Sequence, residues 1–253
     1  MAKKLEIKQL NIEHLSAVME LQKKVIDGLQ EDEKHFVLTR SAQDFIKALD
    51  HENTYMLGVF DGDKLIAQSI FAYPQNGQER DIPEFAEDVP NAELVVYKAV
   101  LVDKDYRGCG LMKHMLDYIE QESKKLGKKT SIIQIAMDNP ASWMSAMGNG
   151  MVICKVDHDP YDNAKVLYLK KNLHSGVEPN VKTGYKQFTM FVGSNIHQYI
   201  PALFNKMQHY VAQGYCGVGV DKKSHSLVWA KPDVQNNITR SFMTSVLDKT
   251  IHY

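Results

Sequence analysis

Residues 102 to 116 read VDKDYRGCGLMKHML, and they constrain the fold more than any other stretch of the chain. A nearly continuous apolar run, Leu94 to Val102, leads in, as in a strand covered on both faces. An amphipathic helical pattern, Leu111 to Leu126, leads out, with Gly127 placed to stop it. Between them stands Arg107-Gly108-Cys109-Gly110. A helix start carries unpaired N–H groups and a partial positive charge. Glycines ahead of it let an anionic ligand approach the backbone, and an arginine adds a charge-assisted hydrogen bond to phosphate. Arg107 to Met112 therefore has the makings of a pyrophosphate cradle, although a plain strand-to-helix turn accounts for the same spacing. The G-x-G-x-x-G dinucleotide fingerprint is incomplete, because Lys113 stands at its third glycine, and the Walker pattern is absent.

The rest of the chain supplies a setting for that turn. Leu5 and Ile7 suggest a short first strand. Ile12 to Leu29 reads as a helix, with Leu15, Val18, Met19, Leu21, Val25 and Ile26 on one face and Gly28 marking its end. Gln30 to His35 is polar. Ser41 is a candidate N-cap for a second helix through about Leu49. Tyr55 to Phe60 and Leu65 to Tyr73 flank Asp61-Gly62-Asp63, a hairpin signal. Residues 74 to 92 read as a polar loop. After the turn and its helix come a strand over Ser131 to Met137, a short helix opened by Pro140, and strands over Val152 to Val156 and Val166 to Leu169. This order, with a hairpin in its middle, argues an α/β (α+β) mixed sheet and not a Rossmann winding. Residues 174 to 253 restart the pattern. His174 to Lys182 is a linker candidate and Gln187 to Val192 a strand. Pro201 suits a first helical position ahead of an apolar stripe of Leu203, Phe204, Met207, Tyr210 and Val211. Tyr215 to Val220 and Ser226 to Lys231 form a second hairpin around Asp221-Lys222-Lys223, and a last helix is expected from about Ile238 to Leu247.

Composition narrows the function classes. With 253 residues and a formal net charge of -1, the chain exerts no global pull on nucleic acid or an anionic membrane. The N-terminal MAKKLEIKQLNIEH alternates after its lysines and lacks the apolar run of a secretory signal. No window reaches ~18 consecutive apolar residues. The three cysteines, Cys109, Cys154 and Cys216, show neither metal-ligand spacing nor a disulfide framework. A cytoplasmic protein with no metal, no nucleic-acid partner and no membrane partner is the expectation.

Residues 94 to 173 resemble the GNAT superfamily of acyl-CoA-dependent N-acyltransferases. In that family the fourth strand leads into Q/R-x-x-G-x-G/A, whose backbone N–H groups hold the CoA pyrophosphate. Arg107-Gly108-Cys109-Gly110-Leu111-Met112 matches at Arg107 and Gly110, with Met112 where Gly or Ala is usual. Asn139-Pro140-Ala141-Ser142 followed by Gly150-Met151 is similar to the family's N-P-x-A/S helix ending in G-F. The element order carries the likeness over about residues 1 to 173. It implies a GNAT-like acetyltransferase domain at 1–173 and a β-α-β-β extension at 174–253, read as a partial GNAT-like half, a lid or a dimerisation element.

The resemblance implies acetyl-CoA as cosubstrate and direct attack of a primary amine on its thioester. It implies that the backbone of Val100, Leu101 and Val102 holds the thioester, that Arg107 to Met112 hold the pyrophosphate, and that Asn139 and Ser142 contact the pantetheine arm. The tyrosine that usually protonates the leaving thiolate falls at Ala146 here. Tyr97 and Tyr106 are neighbouring tyrosines, of which Tyr106 is a candidate acid, and Glu93 is a candidate base by position. Glu31, Asp32 and Glu33, with Glu79, Asp81, Glu84, Glu87 and Asp88, would favour a cationic amine if they face the acceptor. Phe36 and Phe85 are candidates to line its pocket. The leading expectation is an N-acetyltransferase acting on a small-molecule or protein amine, with a homodimer left open. The alternatives are a catalytically weak acyl-CoA-binding regulatory module and a generic phosphate-binding α/β protein.

Overall fold

The computed structural model describes residues 5–75, 89–174, 188–191, 196–221 and 226–231. The chain divides into two compact units, one of Met1–Pro83 with Asp88–Lys128 and one of Glu84–Glu87 with Lys129–Tyr253. The fold is α/β, with mostly antiparallel sheet flanked by helices.

In the first unit, strands β1 (Leu5–Gln9), β2 (Thr54–Asp61), β3 (Lys64–Ala72) and β4 (Leu94–Val102) lie side by side in that order, all antiparallel. Gly62 closes the β2–β3 hairpin at φ +62°, a conformation that glycine reaches without steric cost. Helices α1 (Leu15–Asp27) and α2 (Ala42–Asp50) cover one face. Val18, Leu21, Val25 and Phe45 form a core there with Met56, Phe60, Ile70 and Leu101. Helix α3 (Leu111–Lys125) serves the other face, where the buried Tyr97 hydroxyl donates to Leu116 O at 3.4 Å. Ser41 caps α2 as expected: its Oγ accepts from Asp44 N at 3.2 Å, and Asp44 Oδ2 accepts from Ser41 N at 2.9 Å. The first helix is shorter than its apolar pattern. Asn11 starts a 3-10 turn over Ile12–His14, and α1 proper begins at Leu15. The polar stretch Gln30 to His35 is also structured: Gln30 is the N-cap of a 3-10 turn over Glu31–Phe36.

In the second unit, β5 (Thr130–Ala136), β6 (Val152–His158), β7 (Lys165–Asn172), β8 (Phe188–Phe191), β9 (Cys216–Asp221) and β10 (Ser226–Ala230) run in the order β5-β7-β6-β9-β10-β8. Helix α4 (Pro140–Gly148) follows β5. Helix α5 (Ile196–Ala212) packs on β6, with the Phe204 ring 4.7 Å from that of His158 and Gln208 Nε2 donating to Val156 O at 3.3 Å. The C-terminal segment thus extends the sheet from β6, through the pairing of Ile153 with Gly217. Pro201 does not open a helix, as its sequence setting suggests, but lies inside α5. It costs the helix the bond His197 O would accept, while the stripe carrying Leu203, Phe204 and Met207 is buried. The turn around Lys222-Lys223, most of the linker candidate and the expected last helix lie outside the described residues.

Candidate active site

The candidate cradle grows from the end of β4. The strand's first four residues, Leu94 to Tyr97, are buried on both faces. Lys98 is then exposed, and Ala99 and Val100 are half-covered. The register explains the change: Phe71 pairs with Tyr97 and Ile70 with Ala99, so the ladder with β3 skips Lys98. A bulge of this kind bends a strand and re-aims the residues beyond it. The full coverage expected of this strand therefore holds only for its first half. The side chains of Val100, Leu101 and Val102 are core or near-core, and Leu101 belongs to the α1–α2 cluster.

Asp103 ends the strand, and a 3-10 turn, Lys104–Tyr106, hands the chain to Arg107. Gly108 and Gly110 stand at φ +78° and +72°. Side chains other than glycine's pay about 1 kcal/mol or more for this region. A Cβ at Gly108 would meet nothing within 4 Å, and one at Gly110 only the His114 ring at 3.9 Å. Both glycines therefore serve backbone conformation and an open approach, not close packing. Gly110 is the N-cap of α3 and offers no side-chain acceptor, so among the described residues no side chain caps the first turn through Leu111 and Met112. Arg107, Gly108 and Cys109 are exposed, Met112 is half-buried, and Arg107 Nε donates to Val102 O at 3.3 Å. The Cys109 thiol makes a long contact, 3.8 Å, to Arg107 O. The result is an exposed turn of N–H groups at a helix start beside a guanidinium, which suits an anion.

The turn is mounted on a buried carboxylate that sequence reading missed. Asp103 is fully buried. Its Oδ2 accepts from Lys24 Nζ of α1 at 2.7 Å and pairs with Lys64 Nζ of β3 at 2.8 Å. Its Oδ1 accepts from Asp105 N at 3.1 Å. Burial alone would raise this carboxyl, but the hydrogen bonds from Lys24 and Lys64 prevail and hold it at about 2. Lys24, Lys64 and Asp103 are tens of residues apart in sequence, so no local pattern announces this group. Lys98, in contrast, carries a legible signal, a lone charge interrupting LVVYKAVLV.

The other candidates are dispersed. The Tyr106 hydroxyl donates to Asp61 Oδ2 at 2.7 Å, anchoring the turn to the end of β2. Glu93 closes a 3-10 turn before β4. The nine residues of that strand put about 30 Å between Glu93 and the glycine turn. Asn139 and Ser142 are placed together in the second unit, where Asn139 Oδ1 caps α4 by accepting from Ser142 N at 3.1 Å. Ala146 is fully buried in α4. Of the acidic residues between the first helices, Glu31 pairs with Lys34 at 2.6 Å and Glu33 accepts from Gln30 N at 3.1 Å. Phe36 is half-buried beside the His35 ring. Glu79, Asp81, Glu84, Phe85, Glu87 and Asp88 lie outside the described residues. Among the described residues no three His, Cys, Asp or Glu side chains gather as a metal site requires, and no helix is long and apolar enough to cross a membrane.

Comparison with known proteins bears on the family and the fold. Residues 19–144 match the model of the acetyltransferase (GNAT) family. No curated protein matches the chain. Solved structures do. The protein smu.2055 of Streptococcus mutans UA159 is similar at TM-score 0.52 and 14% identity, over 67% of this chain and 99% of that one. The ribosomal-protein-S18-alanine N-acetyltransferase of Escherichia coli is similar at 0.51 and 14%, over 72% and 100%. The GNAT domain of PAT from S. lividans is similar at 0.51 and 16%, over 66% and 90%. At such identities the likeness is one of fold. The family match places a GNAT acetyltransferase domain at residues 19–144 of this chain, and the likeness of fold accords with it.

Proposed function

We propose that the protein is an N-acetyltransferase that moves an acetyl group from acetyl-CoA to a primary amine of a small molecule or a protein by direct attack. The observation that carries this reading is the exposed turn Arg107 to Cys109 leading into the start of α3, whose N-cap Gly110 offers no side-chain acceptor, with both glycines in the left-handed region. The N–H groups of Gly108 to Met112 and the Arg107 guanidinium would hold the pyrophosphate, with the exposed Cys109 leaving the approach open. Asn139 has its Oδ1 committed to the α4 cap, which leaves its NH2 for the pantetheine arm. Acetyl-CoA supplies the activated thioester. The chain's own part is to position it along Val100 to Val102, beyond the Lys98 bulge, and to orient the amine. We read residues 1–173 as the acetyltransferase domain and 174–253 as its extension. Glu31 and Glu33, two of the carboxylates that would favour a cationic acceptor, are engaged locally, with Lys34 Nζ and Gln30 N.

A second reading, an acyl-CoA-binding module with weak turnover, draws on Ala146 and Tyr106. The first is fully buried where the family's tyrosine falls, and the second has its hydroxyl bonded to Asp61. Neither offers an obvious acid to the leaving thiolate. Thiol release from acetyl-CoA across a panel of amines separates the two. An enzyme frees CoA only when its acceptor is present; a module binds acetyl-CoA and frees none with any amine.

A further inference from the structure

The candidate cradle is built on parts that never touch its ligand, and these parts point to a positioning residue. Four elements meet under the turn: the end of β4, the last turn of α1, the start of β3 and the end of β2. Asp103 joins the first three through Lys24 and Lys64, at 2.7 and 2.8 Å. Its backbone N–H donates to Ile66 O at 2.8 Å, and its carbonyl accepts from Tyr106 N at 2.9 Å. Lys24 also reaches Asp105 Oδ2 at 2.8 Å, and Tyr106 reaches Asp61, so the residues just before Arg107 are held from two further directions. The Lys104 side chain packs near Gly28, where a Cβ would lie 3.1 Å from its Cδ. The far end of the turn is fixed by α3 itself. A carboxylate with no exposed surface, paired with two ammonium groups, is costly to desolvate unless its geometry is well satisfied. Here both carboxylate oxygens have partners.

We propose that Asp103 is the positioning residue of the phosphate-binding turn. With Lys24 and Lys64 it sets the path of the backbone from Val102 to Arg107, so that the N–H groups of the turn are aimed before the ligand arrives. Preorganisation of this kind contributes affinity by removing the ordering that binding would otherwise require. The proposal rests on the reading that this turn holds the pyrophosphate of acetyl-CoA.

The test compares acetyl-CoA, by titration calorimetry, with S-acetylpantetheine, which lacks the pyrophosphate, by NMR titration. Asp103→Asn keeps the shape and removes the charge. It is expected to weaken acetyl-CoA ~10-fold, the scale of a small misplacement of binding groups, while S-acetylpantetheine changes less than about twofold. Lys24→Met should show the same selectivity, and Lys24→Arg should restore acetyl-CoA binding. The Lys24 side chain is 34% exposed, so its variants carry the test if Asp103→Asn does not fold. Equal loss for both ligands would mean general loosening and would overturn the proposal, as would unchanged acetyl-CoA affinity in both Asp103→Asn and Lys24→Met. Wild-type protein that binds no acetyl-CoA overturns the function reading along with this one; wild-type protein that binds while the variants match it overturns this one alone.

Discussion

At the scale of single residues, Gly108 and Gly110 are set apart by backbone conformation, both in the left-handed region. Gly110 stands at φ +72° with nothing but the edge of His114 near its missing Cβ. Gly110→Ala should therefore cost about 1 kcal/mol of stability through conformation alone, measurable by urea unfolding. Tyr106→Phe tests whether that tyrosine is an acid or an anchor. Its hydroxyl donates to Asp61, so loss of the bond should destabilise by about 1 kcal/mol and leave the pH dependence of turnover unchanged. A lost basic limb in the pH profile would instead make it the acid. Asp103 gives a pH signature. Its carboxyl sits at about 2 in the fold, against about 3.9 in an unfolded chain. A folded value below the unfolded one means its contribution is fully present above about pH 4 and is lost as pH falls through 2. The stability gap between wild type and Asp103→Asn should accordingly be constant from about pH 7 to 5 and close toward pH 2.

At the scale of elements, local patterns are legible wherever a short-range signal sets the structure. The Asp61-Gly62-Asp63 hairpin, the Ser41 cap and the Gly127 stop of α3 all arise from residues within one turn of the feature. The cap at Asn139 belongs to the same class: Asn139→Ala should cost about 1 kcal/mol and shorten α4, visible as earlier amide exchange at Ser142 and Trp143. Features that escape sequence reading depend on distant partners. Pro201 has the setting of a helix start, yet α5 runs through it. The stripe of Leu203, Phe204 and Met207 is what the helix gains by forming, and local propensity does not register that burial. Likewise the apolar run of β4 promises a fully covered strand; the lone Lys98 marks in the sequence where that cover ends, but that it is a bulge follows only from the pairing with β3. The glycine turn is readable because its chemistry is contiguous, whereas its mount, Lys24 with Lys64 and Asp103, is assembled by tertiary structure alone.

At the scale of the whole molecule, the family match covers residues 19–144, while the second compact unit runs on through β8, α5, β9 and β10. Those elements are integral to that unit: β9 pairs with β6, and the buried Phe204 lies against His158. Phe204→Ala should destabilise by about 3 kcal/mol, seen as a fall of several degrees in thermal midpoint. An equal midpoint in wild type and variant would show that α5 contributes little. The central claim is that the turn at Arg107 to Met112 binds acetyl-CoA, and calorimetric titration of acetyl-CoA into wild type and Arg107→Ala tests it most directly. The account predicts wild-type binding near micromolar strength, weakened by about 1.5–3 kcal/mol in the variant. Folded wild-type protein that takes up no acetyl-CoA would contradict it and reduce the two glycines to a tight turn.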